Sequence, residues 1–162
     1  MGLQVNLRRL ENGAVRLHGQ VPVSELDLDG IDEVVRARQP LTYDLEVQKI
    51  ESGVLAQGRL ELTLDCECVR CLKPFQQRLE LRNWACHLAL EGEDKVEITG
   101  DCVDLTPHVR EDMLLEFPQH PLCKPECGGL PQSKARKKKS TGGAGQTKEI
   151  VSAWAELNKL KL

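Results

Sequence analysis

Apolar residues alternate with polar ones along most of the chain before residue 100, and helical spacing enters only later, so strands should come first and helices last. Leu3, Val5 and Leu7 keep a period of two, Asn12-Gly13 offers a type I′ turn, and Val15 and Leu17 resume the alternation. This reads as an N-terminal hairpin. From Val21 to Pro40 the signal is mixed, with Asp27, Asp29, Asp32 and Glu33 set among Leu26, Leu28, Ile31, Val34 and Val35, and a loop with one short helix is expected. Leu41, Tyr43, Leu45 and Val47 then mark a clean strand, Ser52-Gly53 a turn, and Val54 to Leu64 a long partner that leads into Cys68-Val69-Arg70-Cys71. After Lys73-Pro74 the alternation runs through Phe75, Gln77, Leu79 and Leu81, then changes phase so that Trp84, Cys86, Leu88 and Leu90 become the apolar set. A phase change inside one strand implies a bulge or bend near Asn83. Val96 and Ile98 form a last short strand.

Helical signals begin at Asp104-Leu105-Thr106-Pro107, where Asp or Thr can cap and Pro fits the first turn. Val109, Met113, Leu114 and Phe117 fall on one face, and Pro118 ends the run. Strands followed by a late helix argue for an α+β fold built mainly on antiparallel sheet, with one late packed helix. The expected organisation is a core domain over 1–130, a basic linker over 131–148 and a short C-terminal amphipathic helix over 149–162. In that last segment Trp154, Leu157 and Leu160 form an apolar set that needs a surface to dock on, because so short a helix is marginal alone in water.

Charge sharpens this division. The net charge is −3, but residues 131–162 carry eight Lys or Arg against Glu149 and Glu156, which is +6 and leaves −9 for the rest. The basic residues concentrate in Lys134, Arg136, Lys137, Lys138 and Lys139, beside a Gly-rich stretch to Gln146 that offers almost no apolar surface and should be disordered when unbound. Such a run can neutralise phosphates with little sequence preference, or serve only as a solvated tail. The few aromatic residues form no stacking platform, which excludes base reading of the RRM kind. No Gly-rich phosphate loop or nucleophile elbow is present, and His18 and His108 lack catalytic context, so a non-enzymatic protein is expected. The acidic residues between 27 and 33 read as a solvated face before a Mg²⁺ site. Nothing near Met1 reads as a secretion signal, which with 40% hydrophobic and 29% charged residues points to a cytoplasmic globular protein without membrane association.

The chemistry lies in the seven cysteines. Cys68 and Cys71 have the spacing that brings two thiolates onto one metal ion, and Cys123 and Cys127 supply a second pair. Four thiolates would make a closed structural zinc site that staples the turn after the long hairpin to the segment after the helix. The rival is a redox dithiol of Cys68 and Cys71, for which Arg70 would depress a thiol pKa, as it would also favour metal binding. Cys66, Cys86 and Cys102 read as buried small hydrophobes, and His120 as a replacement ligand or an exposed loop residue.

Cys68-Val69-Arg70-Cys71-Leu72 followed by Pro74-Phe75 resembles the signature of the YceD family, named for large ribosomal RNA subunit accumulation. Similar to the family as well are the Asp104-Leu105 helix through Glu111 and Leu114-Leu115 to Pro118, then Leu122-Cys123 with Cys127, Gly129 and Leu130, and the terminal Trp154, Leu157, Leu160 and Lys161. The resemblance implies a non-enzymatic role in synthesis, processing or stability of 23S ribosomal RNA and in large-subunit assembly. Implied partners are ribosomal RNA or the precursor large subunit, or a large-subunit ribosomal protein. Many relatives continue with a further Cys-x-x-Cys-Gly, whereas here Leu130 leads into Pro131-Gln132-Ser133 and the basic run. A metal site in this chain must therefore use Cys68, Cys71, Cys123 and Cys127, with the basic run as a local substitute for RNA contact. A thiol oxidoreductase using Cys68 and Cys71, and an adapter binding protein through the terminal helix, are the alternative functions.

Overall fold

The computed structural model describes residues 2–131. Its strands are β1 (Gln4–Asn6), β2 (Val15–Val21), β3 (Val35–Ala37), β4 (Leu41–Ile50), β5 (Gly53–Glu67), β6 (Pro74–Ala89), β7 (Ile98–Thr99) and β8 (Cys102–Asp104), and its helices are α1 (Leu7–Leu10) and α2 (Thr106–Leu115). All pairings are antiparallel. The larger sheet is organised on β5, which carries β6 along one side and β4 then β3 along the other, with β2 outside β4. A smaller sheet has the order β1-β8-β7.

Strand alternation decides which face is buried. Leu45, Val47, Val54, Ala56, Leu60, Leu62, Leu64, Leu79, Trp84 and Leu88 share one buried cluster with Leu26, Leu28, Val103, Leu105, Val109 and Met113. Positions between them alternate outward and carry cross-strand ion pairs, Arg16 with Asp44, Arg78 with Glu61, and Arg59 with Glu80, and Glu80 also meets Arg82 of its own strand. Exposed pairs of this kind contribute at most about 1 kcal/mol each, so burial on the other face carries the sheet.

The phase change read at Asn83 is a bulge. Gly58 pairs with Trp84 and Leu60 with Leu81, so Arg59 alone faces Arg82 and Asn83. One extra residue on β6 moves Trp84 onto the buried face, where its indole Nε1 donates to Asp112 Oδ2 of α2 at 2.6 Å. Gly58 has φ +153, and a Cβ there would collide with the Asp44 carbonyl oxygen, so only glycine lets β4 and β5 approach at this point.

The expected N-terminal hairpin does not form. Asn6 Oδ1 accepts from the Arg8 amide and starts α1, while β1 pairs with β8 and β2 with β4. Local alternation was the same in either arrangement, and long-range pairing chose between them. Between Val21 and Pro40 there is no helix: Asp32 Oδ1 accepts from the amides of Val34 and Val35 and feeds the unforeseen strand β3. The strand expected at Val96 and Ile98 begins at Ile98, without Val96, and pairs with an unforeseen further strand, β8, through Gly100 (φ 57) and Asp101 (φ 65), a type I′ turn. As expected, α2 buries Val109 and Met113 and stops before Pro118, but its N-cap is Leu105, with no side-chain cap, and neither Asp104 nor Thr106 fills that place; Asp104 Oδ1 accepts from the Thr106 amide beside it. The basic run Lys134, Arg136, Lys137, Lys138 and Lys139, and the expected helix with Trp154, Leu157 and Leu160, lie outside the described residues. No helix among the described residues is long and apolar enough to cross a membrane.

Candidate metal centre

β5 and β6 end at the Cys68–Leu72 turn, and the chain after α2 crosses over it. Cys68 N donates to Lys73 O at 3.0 Å and Leu72 N donates to Cys68 O at 2.8 Å, which closes the turn. Leu72 sits at φ +59, a left-handed conformation that costs a non-glycine residue roughly 1–2 kcal/mol. From the far segment, Pro121 O accepts from Val69 N at 3.0 Å, and Cys127 O accepts from Arg70 Nη1 at 3.1 Å. These two clasps set Cys123 and Cys127 over the turn.

The four sulfurs of Cys68, Cys71, Cys123 and Cys127 lie within 4.8 Å of one another. Cys68 Sγ is 3.7 Å from Cys127 Sγ, and Cys71 Sγ is 3.6 Å from Cys123 Sγ. A tetrahedron of thiolates at the usual zinc–sulfur distance of about 2.3 Å has edges of about 3.8 Å, so this set can hold one metal ion. His120 is exposed and is not one of the group, and this is the one such cluster among the described residues. The acidic residues from Asp27 to Glu33 form none; Asp27 instead faces Arg110 of α2, and Asp32 caps its turn.

The electrostatics of the four thiols conflict in the absence of a cation. Backbone N–H groups of Cys123 and Cys71, with that of Arg70, point at Cys68 Sγ and draw its pKa down to about 6. Burial, then hydrogen bonding among the neighbouring sulfurs, pushes Cys123 up to about 12. Amides favour one thiolate while crowding and desolvation oppose another, and a divalent cation at the centre of the four would relieve both. The Arg70 expectation is corrected in this respect: its backbone amide reaches Cys68, and its guanidinium braces Cys127. Neither clasp could be read from sequence, although Gly128-Gly129 hinted at a chain that must turn closely, and Gly129 adopts φ +85 beside the Arg70 carbonyl. Of the cysteines expected to be buried, Cys66 is, whereas Cys86 and Cys102 are half-buried.

A family model described as "Large ribosomal RNA subunit accumulation protein YceD" matches residues 56–161, which include the four cysteines. This chain belongs to the YceD family. Similar to it are uncharacterized proteins of Mycobacterium tuberculosis and Mycobacterium bovis, each 29% identical over 98 residues, covering 56% of this chain and 47% of the relative. One from Mycobacterium leprae is 25% identical over 105 residues, covering 60% of this chain and 48% of the relative. The chain spans about half the length of the curated relatives it matches. No solved structure matches it. The YceD match takes in most of β5, all of β6 to β8, α2 and the cysteine cluster, whereas β1 to β4 precede it.

Proposed function

We propose that this protein is a non-enzymatic factor in biogenesis of the large ribosomal subunit, supporting synthesis, processing or stability of 23S ribosomal RNA in the cytoplasm. The observation that carries the reading is the YceD match, whose description concerns large ribosomal RNA subunit accumulation. In this reading the four cysteines bind structural zinc. With all four positions of a tetrahedron taken by sulfur, the ion would have no open site for substrate; its contribution would be to pin residues 121–130 to the turn after β5. Cys68 is fully buried, so a substrate disulfide has no approach to it, which favours the staple over the thiol oxidoreductase.

Contact with RNA is assigned to Lys134, Arg136, Lys137, Lys138 and Lys139, acting on phosphates. The protein should co-sediment with precursor large subunits at low salt and dissociate as salt rises. Replacing these five residues by Gln should weaken that association and flatten its salt dependence. Recovery of the unaltered protein only in ribosome-free fractions at low salt would reject the reading. If association survives the five replacements but is lost on removal of Trp154, Leu157 and Leu160, the contact runs through a large-subunit protein.

A further inference from the structure

The four sulfurs are unequal in a way that a metal staple does not require. Cys68 and Cys127 are buried, whereas Cys71 and Cys123 are half-buried. The two sulfur–sulfur hydrogen bonds also run between the two segments. Cys71 lies 3.6 Å from Cys123, and Cys68 lies 3.7 Å from Cys127. The Cys68–Cys127 contact is buried, whereas the Cys71–Cys123 contact is part-buried and open to a small oxidant. The sulfurs of Cys71 and Cys123 need to close by only about 1.5 Å to reach bonding distance.

We propose that Cys71 and Cys123 are a site of reversible oxidative modification, a disulfide between the two segments formed by a hydroperoxide. This rests on the reading of the four cysteines as a metal staple only for its consequence, metal release, and not for the crosslink itself. In the first step the thiolate of Cys71 attacks a peroxide oxygen; the S–O bond forms, the O–O bond breaks, and the departing hydroxide takes a proton to become water. In the second, the Cys123 thiol attacks that sulfenic sulfur; the S–S bond forms, the S–O bond breaks, and the hydroxyl leaves with the thiol's proton as a second water. Two sulfurs give up two electrons in total, and one peroxide accepts them. A metal held by four thiolates would then keep only Cys68 and Cys127. The ion would be released, yet residues 71 and 123 would stay joined, so the crosslink takes over the staple until a dithiol reductant reverses it.

The test treats the full chain, as purified, with one equivalent of hydrogen peroxide. Free thiols are trapped by alkylation at acid pH, disulfides are mapped by mass spectrometry of unreduced peptides, and a chromogenic chelator follows released metal. The expected result is a Cys71–Cys123 crosslink in most oxidised molecules, together with loss of the bound metal, and recovery of both thiols with dithiothreitol. The Cys102→Ala variant, which removes another half-buried thiol, should give the same map. A dominant Cys68–Cys71 or Cys123–Cys127 link, or sulfinic acid without a crosslink, would overturn the proposal. Protein that carries no metal but still forms Cys71–Cys123 would retain the modification site and remove the staple, so the two readings fail separately.

Discussion

The sheet core and the cysteine turn are held by different physics although β5 leads directly from one into the other. Around Leu45, Leu60 and Met113 each side chain is fully buried, and stability comes from apolar area spread over many residues. At the turn, Val69, Leu72 and Leu130 are 42%, 55% and 58% exposed, so little apolar surface is removed from water there. Four sulfurs, one backbone clasp and one clasp from the Arg70 guanidinium hold what burial does not. The core therefore needs nothing beyond the chain, whereas at the turn four cysteines able to hold a metal ion stand where apolar burial is thin.

The contrast breaks most clearly under metal removal. A strong chelator, or Cys68→Ser, should abolish metal binding whose apparent strength is on the order of 10 kcal/mol or more for structural zinc, and raise proteolysis between residues 121 and 130. Far-UV circular dichroism should change little, because β2 to β6 do not pass through the centre. Collapse of the whole spectrum would show that the two regions are one cooperative unit. In the opposite direction, Leu60→Ala should cost about 2–5 kcal/mol in denaturant unfolding while metal content stays unchanged. Next in size, Trp84→Phe removes the donor to Asp112 and should cost about 1–2 kcal/mol, with exchange of α2 amides quickened more than those near Val69.

The smallest effect is a pH dependence confined to the turn. Cys68 has a folded pKa near 6, below the ordinary thiol value, so between the two the unfolded state binds more protons than the folded one. Its contribution is complete above the unfolded pKa and is lost as pH falls through about 6. Cys123, raised to about 12, stays protonated over that window and does not oppose the trend. In metal-free protein, amides of Arg70, Cys71 and Cys123 should lose exchange protection as pH drops from 8 to 5.5, after correction for intrinsic rates, with no matching change at Leu45. Equal loss at both places would assign the effect to the whole fold.

Much of the long β5–β6 unit was legible because its information is local. Period two marked β4, β5 and β6, and the slip of phase after Leu81 located the bulge to within a residue, since an inserted residue must reverse every later side chain. The spacing of Cys68 and Cys71 likewise announced a chelating turn. What stayed hidden was the choice among partners with equal local claims. Leu3, Val5 and Leu7 alternate as a hairpin strand would, yet β1 joins β8 about a hundred residues away, and Leu7 enters a helix because Asn6 caps it. Asp32 looked like surface charge and proved to be the turn that launches β3.

Composition and period thus determined the strand-rich class, the buried faces, the late helix and the identity of the four sulfurs, because each is a property of neighbouring residues on one element. The tertiary structure decided that Pro121 and Cys127 clasp the Cys68–Leu72 turn, that Leu72 bears a left-handed backbone, and that sulfurs pair across segments with one pair half-buried. Those outcomes depend on hydrogen bonds between residues some fifty positions apart, where closing the loop costs entropy that only the complete set of contacts can offset.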